Sequence, residues 1–240
     1  MSAARGSTGS PAASQKVAAL ATPLVAPLGI AAVIVTVLSP TSWLVVAQCG
    51  LVALLVLVAA RGWGAWPVRW LRTGMLTPLR PDCLALALGL GVLAAVVLAL
   101  GVAGVLNGAT AWLLVAIGVA AAYADWRTAP SSAATAAEPA TVRGLAWRAL
   151  AALPLGLPLA VAIMGASLPP GVLWSAEGQG YDALIYHLRG PQEYFDAGRI
   201  SFLPHNVYTS FPQQVESLYL LLMHLLGDVY DGAIASQWLH

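Results

Sequence analysis

LALALGLGVLAAVVLALGVAGVL, residues 84–106, is the stretch on which the fold turns. It contains no Asp, Glu, Lys, Arg or His, and it exceeds the roughly 20 apolar residues that a helix needs to cross a bilayer core of about 30 Å. In hydrocarbon each backbone N–H and C=O must find a partner within its own segment, so such a run is a helix. Upstream, Val17–Leu38 and Trp43–Ala60 are equally free of charge, joined by the tight turn Ser39-Pro40-Thr41-Ser42. Pro23 and Pro27 interrupt the first run, which membrane helices tolerate. Downstream, Asn107-Gly108 makes a turn into Ala109–Tyr123, a short span at 15 residues, and Ala149–Leu168 follows. Val215–Leu226 begins one more apolar segment. The expected fold is all-α: a polytopic integral membrane protein with about five or six transmembrane helices and one long external loop bearing short helices.

Composition supports the same class. Apolar residues form 59% of the chain and charged residues 9%, with mean hydropathy +0.79, whereas soluble domains carry about 25% charge. A net charge of +1 gives no field that would draw nucleic acid. Cys49 and Cys83 lie inside or at the edge of apolar runs, in neither a CxxC nor a metal-ligand spacing, and read as small core residues.

The polar stretches set the organisation. Met1–Lys16, rich in Ser, Ala and Gly, reads as a disordered cytoplasmic tail. Residues 17–124 form a four-helix transmembrane region. Arg61–Asp82 mixes Arg61, Arg69, Arg72 and Arg80 with Trp63, Trp66 and Trp70, as an interfacial segment on an anionic leaflet does. Residues 125–148, with a Ser/Ala/Thr/Pro-rich middle, form a cytoplasmic linker. With the N-terminus inside, nine of the eleven basic residues face the cytoplasm and only Arg189 and Arg199 lie outside, in the loop Pro169–Gln213. The expected location is the cell membrane, with that loop extracytoplasmic.

The candidate chemistry lies in the loop, because the four charge-free spans offer none. It holds Trp174, Tyr181, Tyr186, Tyr194, Phe195, Phe202, Tyr208 and Phe211, together with Glu177, Asp182, His187, Arg189, Glu193, Asp196, Arg199 and His205. Aromatic faces beside carboxylates and imidazoles suit a polar ligand with apolar faces, such as a sugar. Asp182–Leu188 reads as a short helix, Gly190-Pro191 as its break, and Pro191–Gly198 as a second helix. Were the first helix to continue, Asp182, Tyr186, Arg189 and Glu193 would share one side. Glu193 reads as a surface acid matching a helix dipole, and Glu216 as facing either a site or the water interface.

Tyr181-Asp182-Ala183-Leu184-Ile185-Tyr186-His187-Leu188, then Pro191 and an aromatic-bearing helix, Gly198-Arg199-Ile200, Leu203-Pro204-His205-Asn206-Val207-Tyr208 and Phe211-Pro212 follow one another in order. This series resembles the first external loop of bacterial GT-C-type membrane glycosyltransferases, relatives of the dolichyl-phosphate-mannose and aminoarabinose transferases. The resemblance covers Tyr181–His240. It implies that residues 149–240 open a GT-C-like module of helix, external loop and next helix, which would continue past His240 or else be a decayed, inactive copy. It implies transfer of a sugar from a polyprenyl-phosphate donor, a substrate and not a cofactor, to an extracytoplasmic glycan or protein acceptor. Asp182 is then the general base. Arg189, Arg199 and His187 are candidates for the leaving phosphate, and Tyr186, His205 and Asn206 for the sugar or acceptor. Two other readings stand beside these. Asp182 can instead cap the helix that starts beside it, and the chain can be a non-catalytic membrane subunit or transporter component whose loop binds a glycan or a partner.

Overall fold

A computed structural model describes residues 11–71, 81–128, 146–147, 150–172 and 180–240, the first fourteen of these by backbone alone. The described residues contain helices and turns and no strand. The helices are α1 (Pro11–Leu38), α2 (Ser42–Leu71), α3 (Pro81–Val102), α4 (Gly108–Thr128), α5 (Leu150–Ala166), α6 (Arg189–Ala197), α7 (Gln214–Leu226) and α8 (Val229–Leu239). Three of them, α2, α3 and α4, are long and apolar enough to cross a membrane, at 30, 22 and 21 residues. Val25–Leu38, Leu150–Ala166 and Gln214–Leu226 are apolar but shorter.

Several boundaries differ from expectation. α1 begins at Pro11, so residues 11–16 of the expected tail are helical; Pro suits a first helical turn, where its missing N–H is no loss. α4 runs to Thr128, well past Tyr123, because Asp125 is held by Arg61 and Arg69 and the helix keeps its polar last turn. The expected interfacial segment is, over residues 61–71, a continuation of α2 that includes Pro67. At about 45 Å, α2 outruns a bilayer core. Arg72, Arg80, the middle of the 125–148 linker, Trp174 and Glu177 lie outside the described residues.

The chain forms two compact units. In one, α1 packs on α5 through Ala31, Val35 and Ala160, and Gly156 admits Ile30 at its surface. The other contains α2–α4 and α6–α8. Its helices approach through small residues: a Cβ on Gly64 would strike the Ala85 carbonyl, and one on Gly89 the Ala60 carbonyl. Membrane helices associate by such close packing, since lipid is as apolar as leucine. Gly91, by contrast, faces nothing within 4 Å.

The two ends of this bundle differ. At one end, where α2 and α4 finish and α3 starts, Arg61 bridges Asp82 (2.7 Å) and Asp125 (3.2 Å), and Arg69 pairs with Asp125 (2.7 Å). At the other end, Asn107 caps α4 by accepting from Ala109 and Thr110. The Ile200 N–H donates to the Gly101 carbonyl at 2.9 Å there, so the segment leaving α6 is seated on the end opposite the arginines. α7 is buried on every side from Glu216 to Met223, against α3 and α4, and returns through Gly227 (φ 71°) into α8.

Candidate functional site

Residues 180–216 bring together two carboxylate–imidazole pairs and a row of rings. Gly180 (φ 80°) enters the segment, and Asp182–His187 form a π-helical turn closed by Leu188 N–H donating to Ala183 O at 3.0 Å. Such wide turns are rare and recur at functional sites. Here the turn replaces the expected α-helix.

α6 begins at Arg189 and runs through Gly190-Pro191, so the break between the two short helices falls at Leu188 instead of at Gly190-Pro191. Pro191 sits in the first turn, where no helical N–H is required, and Gly190 gives room to the Thr209 methyl. Because α6 already includes Arg189, Arg189 and Glu193 fall one turn apart and pair at 2.7 Å. His205 Nε2 reaches the other oxygen of Glu193 at 2.8 Å. Burial alone would raise the Glu193 carboxyl, but the hydrogen bonds and charges of His205 and Arg189 outweigh it and hold the group below its ordinary value. Glu193 is therefore the hub of a three-residue cluster and not a dipole-matching surface acid.

The second pair joins His187 Nδ1 to Glu216 Oε1 at 2.7 Å. Glu216 heads α7 with its side chain 4% exposed, while His187 is 39% exposed. Tyr194 lies buried close by; burial raises its phenol against a hydrogen bond to Thr209 that lowers it.

Tyr186 stacks on His187 at 4.1 Å between centroids, meets Tyr208 at 5.1 Å and presents its edge to Phe211 at 6.1 Å. A hydrogen bond to Tyr181 raises the Tyr208 phenol, and the nearby Asp182 charge adds to this. Asn206 is buried and structural: its amide donates to Ile185 O (3.3 Å), and its carbonyl oxygen accepts from Tyr208 N–H (3.1 Å), capping the turn Val207–Ser210.

Asp182 is exposed and lies inside the π turn; the N-cap position is held by Tyr181, whose side chain makes no capping hydrogen bond. The capping role is thus not realised. Arg199 is exposed, and among the described residues its guanidinium has no ion-pair partner. The sequence-derived candidates therefore divide. Asp182, Tyr186 and His187 share one turn. Arg189 and His205 are taken up by Glu193. From sequence Glu193 reads as a surface acid and Glu216 stays between a site and the water interface, because their imidazole partners are 12 and 29 residues away. Only the Arg189–Glu193 spacing could have flagged the first.

Among the described residues no group of three or more His, Cys, Asp or Glu side chains could hold a metal ion. A cavity of about 350 Å³ adjoins the π turn, lined by residues that include Leu184, Leu188, Gln192, Asp228 and Tyr230. Comparison with protein-family models, curated proteins and solved structures finds no match.

Proposed function

We propose that this chain is, or forms the opening part of, a membrane glycosyltransferase of GT-C type that moves a sugar from a polyprenyl-phosphate donor to an extracytoplasmic acceptor. α1, α5 and α7 cross the bilayer with α2–α4 in this reading, which gives about five or six spans. The N-terminus and the Arg61–Asp125 end are cytoplasmic, and residues 169–213 face outward.

One observation carries the reading. Asp182 keeps an exposed carboxylate, with no described partner, near the rings of Tyr181 and Tyr208. A general base needs that availability, and aromatic faces suit the apolar side of a sugar.

The test is sugar transfer by the full chain in lipid nanodiscs, supplied with a panel of polyprenyl-phosphate sugars. Asp182→Asn should lower turnover by about 10²–10⁴-fold with donor binding retained. Turnover unchanged in that variant removes Asp182 as base. The competing reading, a non-catalytic glycan- or partner-binding subunit, draws on the mutual pairing of Arg189, Glu193 and His205, which marks a built scaffold. Glycan binding without consumption of any donor would favour it.

A further inference from the structure

We propose that His187, held by the buried carboxylate of Glu216, is a second catalytic group that meets the departing lipid phosphate opposite Asp182, with Glu216 as its positioning residue. This rests on the transferase reading and extends it.

The wide turn makes the pairing available. In an α-helix, residues five apart point about 140° away from each other. The turn Asp182–His187 is closed by i→i+5 bonding, Ala183 O to Leu188 N–H, and is wider than an α-helical turn, so residues five apart diverge less than they would in an α-helix. Asp182 and His187 stand five apart. The Tyr186 ring stacks on the imidazole and extends the same surface.

Glu216 fixes the imidazole. Its side chain is buried at the head of α7, where an unpaired charge would be costly, and Nδ1 of His187 lies 2.7 Å from it. With Nδ1–H donating to the carboxylate, Nε2 is left toward the half-open side, where no described residue engages it. Two other cations of the loop are already engaged, while Arg199 is exposed with no ion-pair partner among the described residues and so lacks a buried carboxylate to fix it. Arg189 is bound to Glu193 and Gln192, and His205 to Glu193. Around His187, Glu216 on α7 meets Nδ1, Tyr186 stacks on the ring with Tyr208 beyond it, and Asp182 stands on the same turn.

The step balances as follows in atoms. The acceptor hydroxyl gives its proton to Asp182, and its oxygen forms the new bond to the anomeric carbon. The anomeric carbon–phosphate oxygen bond breaks, and its electron pair leaves on the phosphate. Imidazolium Nε2–H then donates to that oxygen, so the product is the polyprenyl phosphate monoester. Exchange with water restores both side chains.

The test uses the full chain in nanodiscs in two arms. One follows sugar transfer from polyprenyl-phosphate sugars over about pH 5 to 8, where imidazoles titrate. The other follows binding of farnesyl phosphate, farnesol and inorganic phosphate. His187→Asn should lose about 10²-fold in turnover and bind farnesyl phosphate about tenfold more weakly near pH 6, with farnesol unchanged. Glu216→Gln, an isostere that keeps the packing, should retain turnover at the acid end while its basic limb moves to lower pH. Wild-type turnover and binding in His187→Asn overturn the proposal even when Asp182→Asn is inactive, which leaves the transferase reading standing. An unshifted profile in Glu216→Gln removes its positioning role. Farnesol binding as tightly as farnesyl phosphate, or inorganic phosphate matching it, overturns the assignment to a lipid phosphate. If no donor is consumed by the wild type, the transferase reading fails, and with it the catalytic role of His187.

Discussion

At the scale of single residues, the loop is governed by which charges are already spoken for. Glu193 accepts from Arg189 and His205 and titrates below its ordinary value of 4.5. A carboxyl whose pKa is lower folded than unfolded stabilises the fold fully above the unfolded value. That contribution is lost as pH falls through the folded value. Acidification below about pH 4.5 should therefore loosen the α6–His205 contact, read as faster hydrogen exchange of amides 189–205. Glu193→Gln should raise exchange at neutral pH by about 1 kcal/mol of opening energy and flatten the acid response. An identical acid response in that variant would show that Glu193 is not the group involved. Asn206 carries a second prediction. Asn206→Ala removes the cap of Val207–Ser210 and the bond to Ile185 O, and should cost about 0.5–2 kcal/mol in thermal unfolding in detergent. A melting curve unchanged from wild type would sink the capping account.

At the scale of elements, the interface of α2 with α3 depends on backbone approach. Gly64→Leu or Gly89→Leu places side-chain atoms where the Ala85 and Ala60 carbonyls stand, and overpacking of that kind costs about 1–3 kcal/mol or more. Gly91→Leu, on the same helix, meets open space and should leave detergent melting unchanged. Equal loss in all three variants would mean that leucine is harmful in these helices generally, against this packing. The elements also show what sequence can and cannot reveal. Runs without charge announced α2 and α3, because hydrocarbon allows little else. The extra turns of α4 were hidden, since Asp125 and Arg127 look like the end of a span until Arg61 and Arg69 are seen to neutralise Asp125. The motif Gly190-Pro191 marked the break two residues late: it falls at Leu188, because the local rule against Pro does not apply in a first turn. The π turn has no sequence signature here. Glu216 could not be joined to His187 from sequence because the pairing is made only when α7 enters the core.

At the scale of the whole molecule, the unit built from α2–α4 and α6–α8 has chemically opposite ends. Arg61 and Arg69, with Asp82 and Asp125, close one end, and Ile200 is seated on Gly101 at the other. Basic residues near span ends are retained on the cytoplasmic side. Pairing with Asp82 and Asp125 does not cancel that bias, because acidic residues contribute little to it. The arginine end should therefore be cytoplasmic and the Asp182–Glu216 cluster external. The chain supplies its own probe, since Cys83 is exposed beside Asp82 at the arginine end and Cys49 is buried. In a Cys49→Ala background, native Cys83 should react with a membrane-impermeant maleimide only after the cells are opened. With Cys83→Ser as well, Ser201→Cys, exposed next to Ile200, should react in intact cells. Labelling of Cys83 in intact cells, with Ser201→Cys protected, would invert the assignment. A polyprenyl-phosphate donor presented outside would then never meet Asp182, and the transferase proposal would fall with the topology.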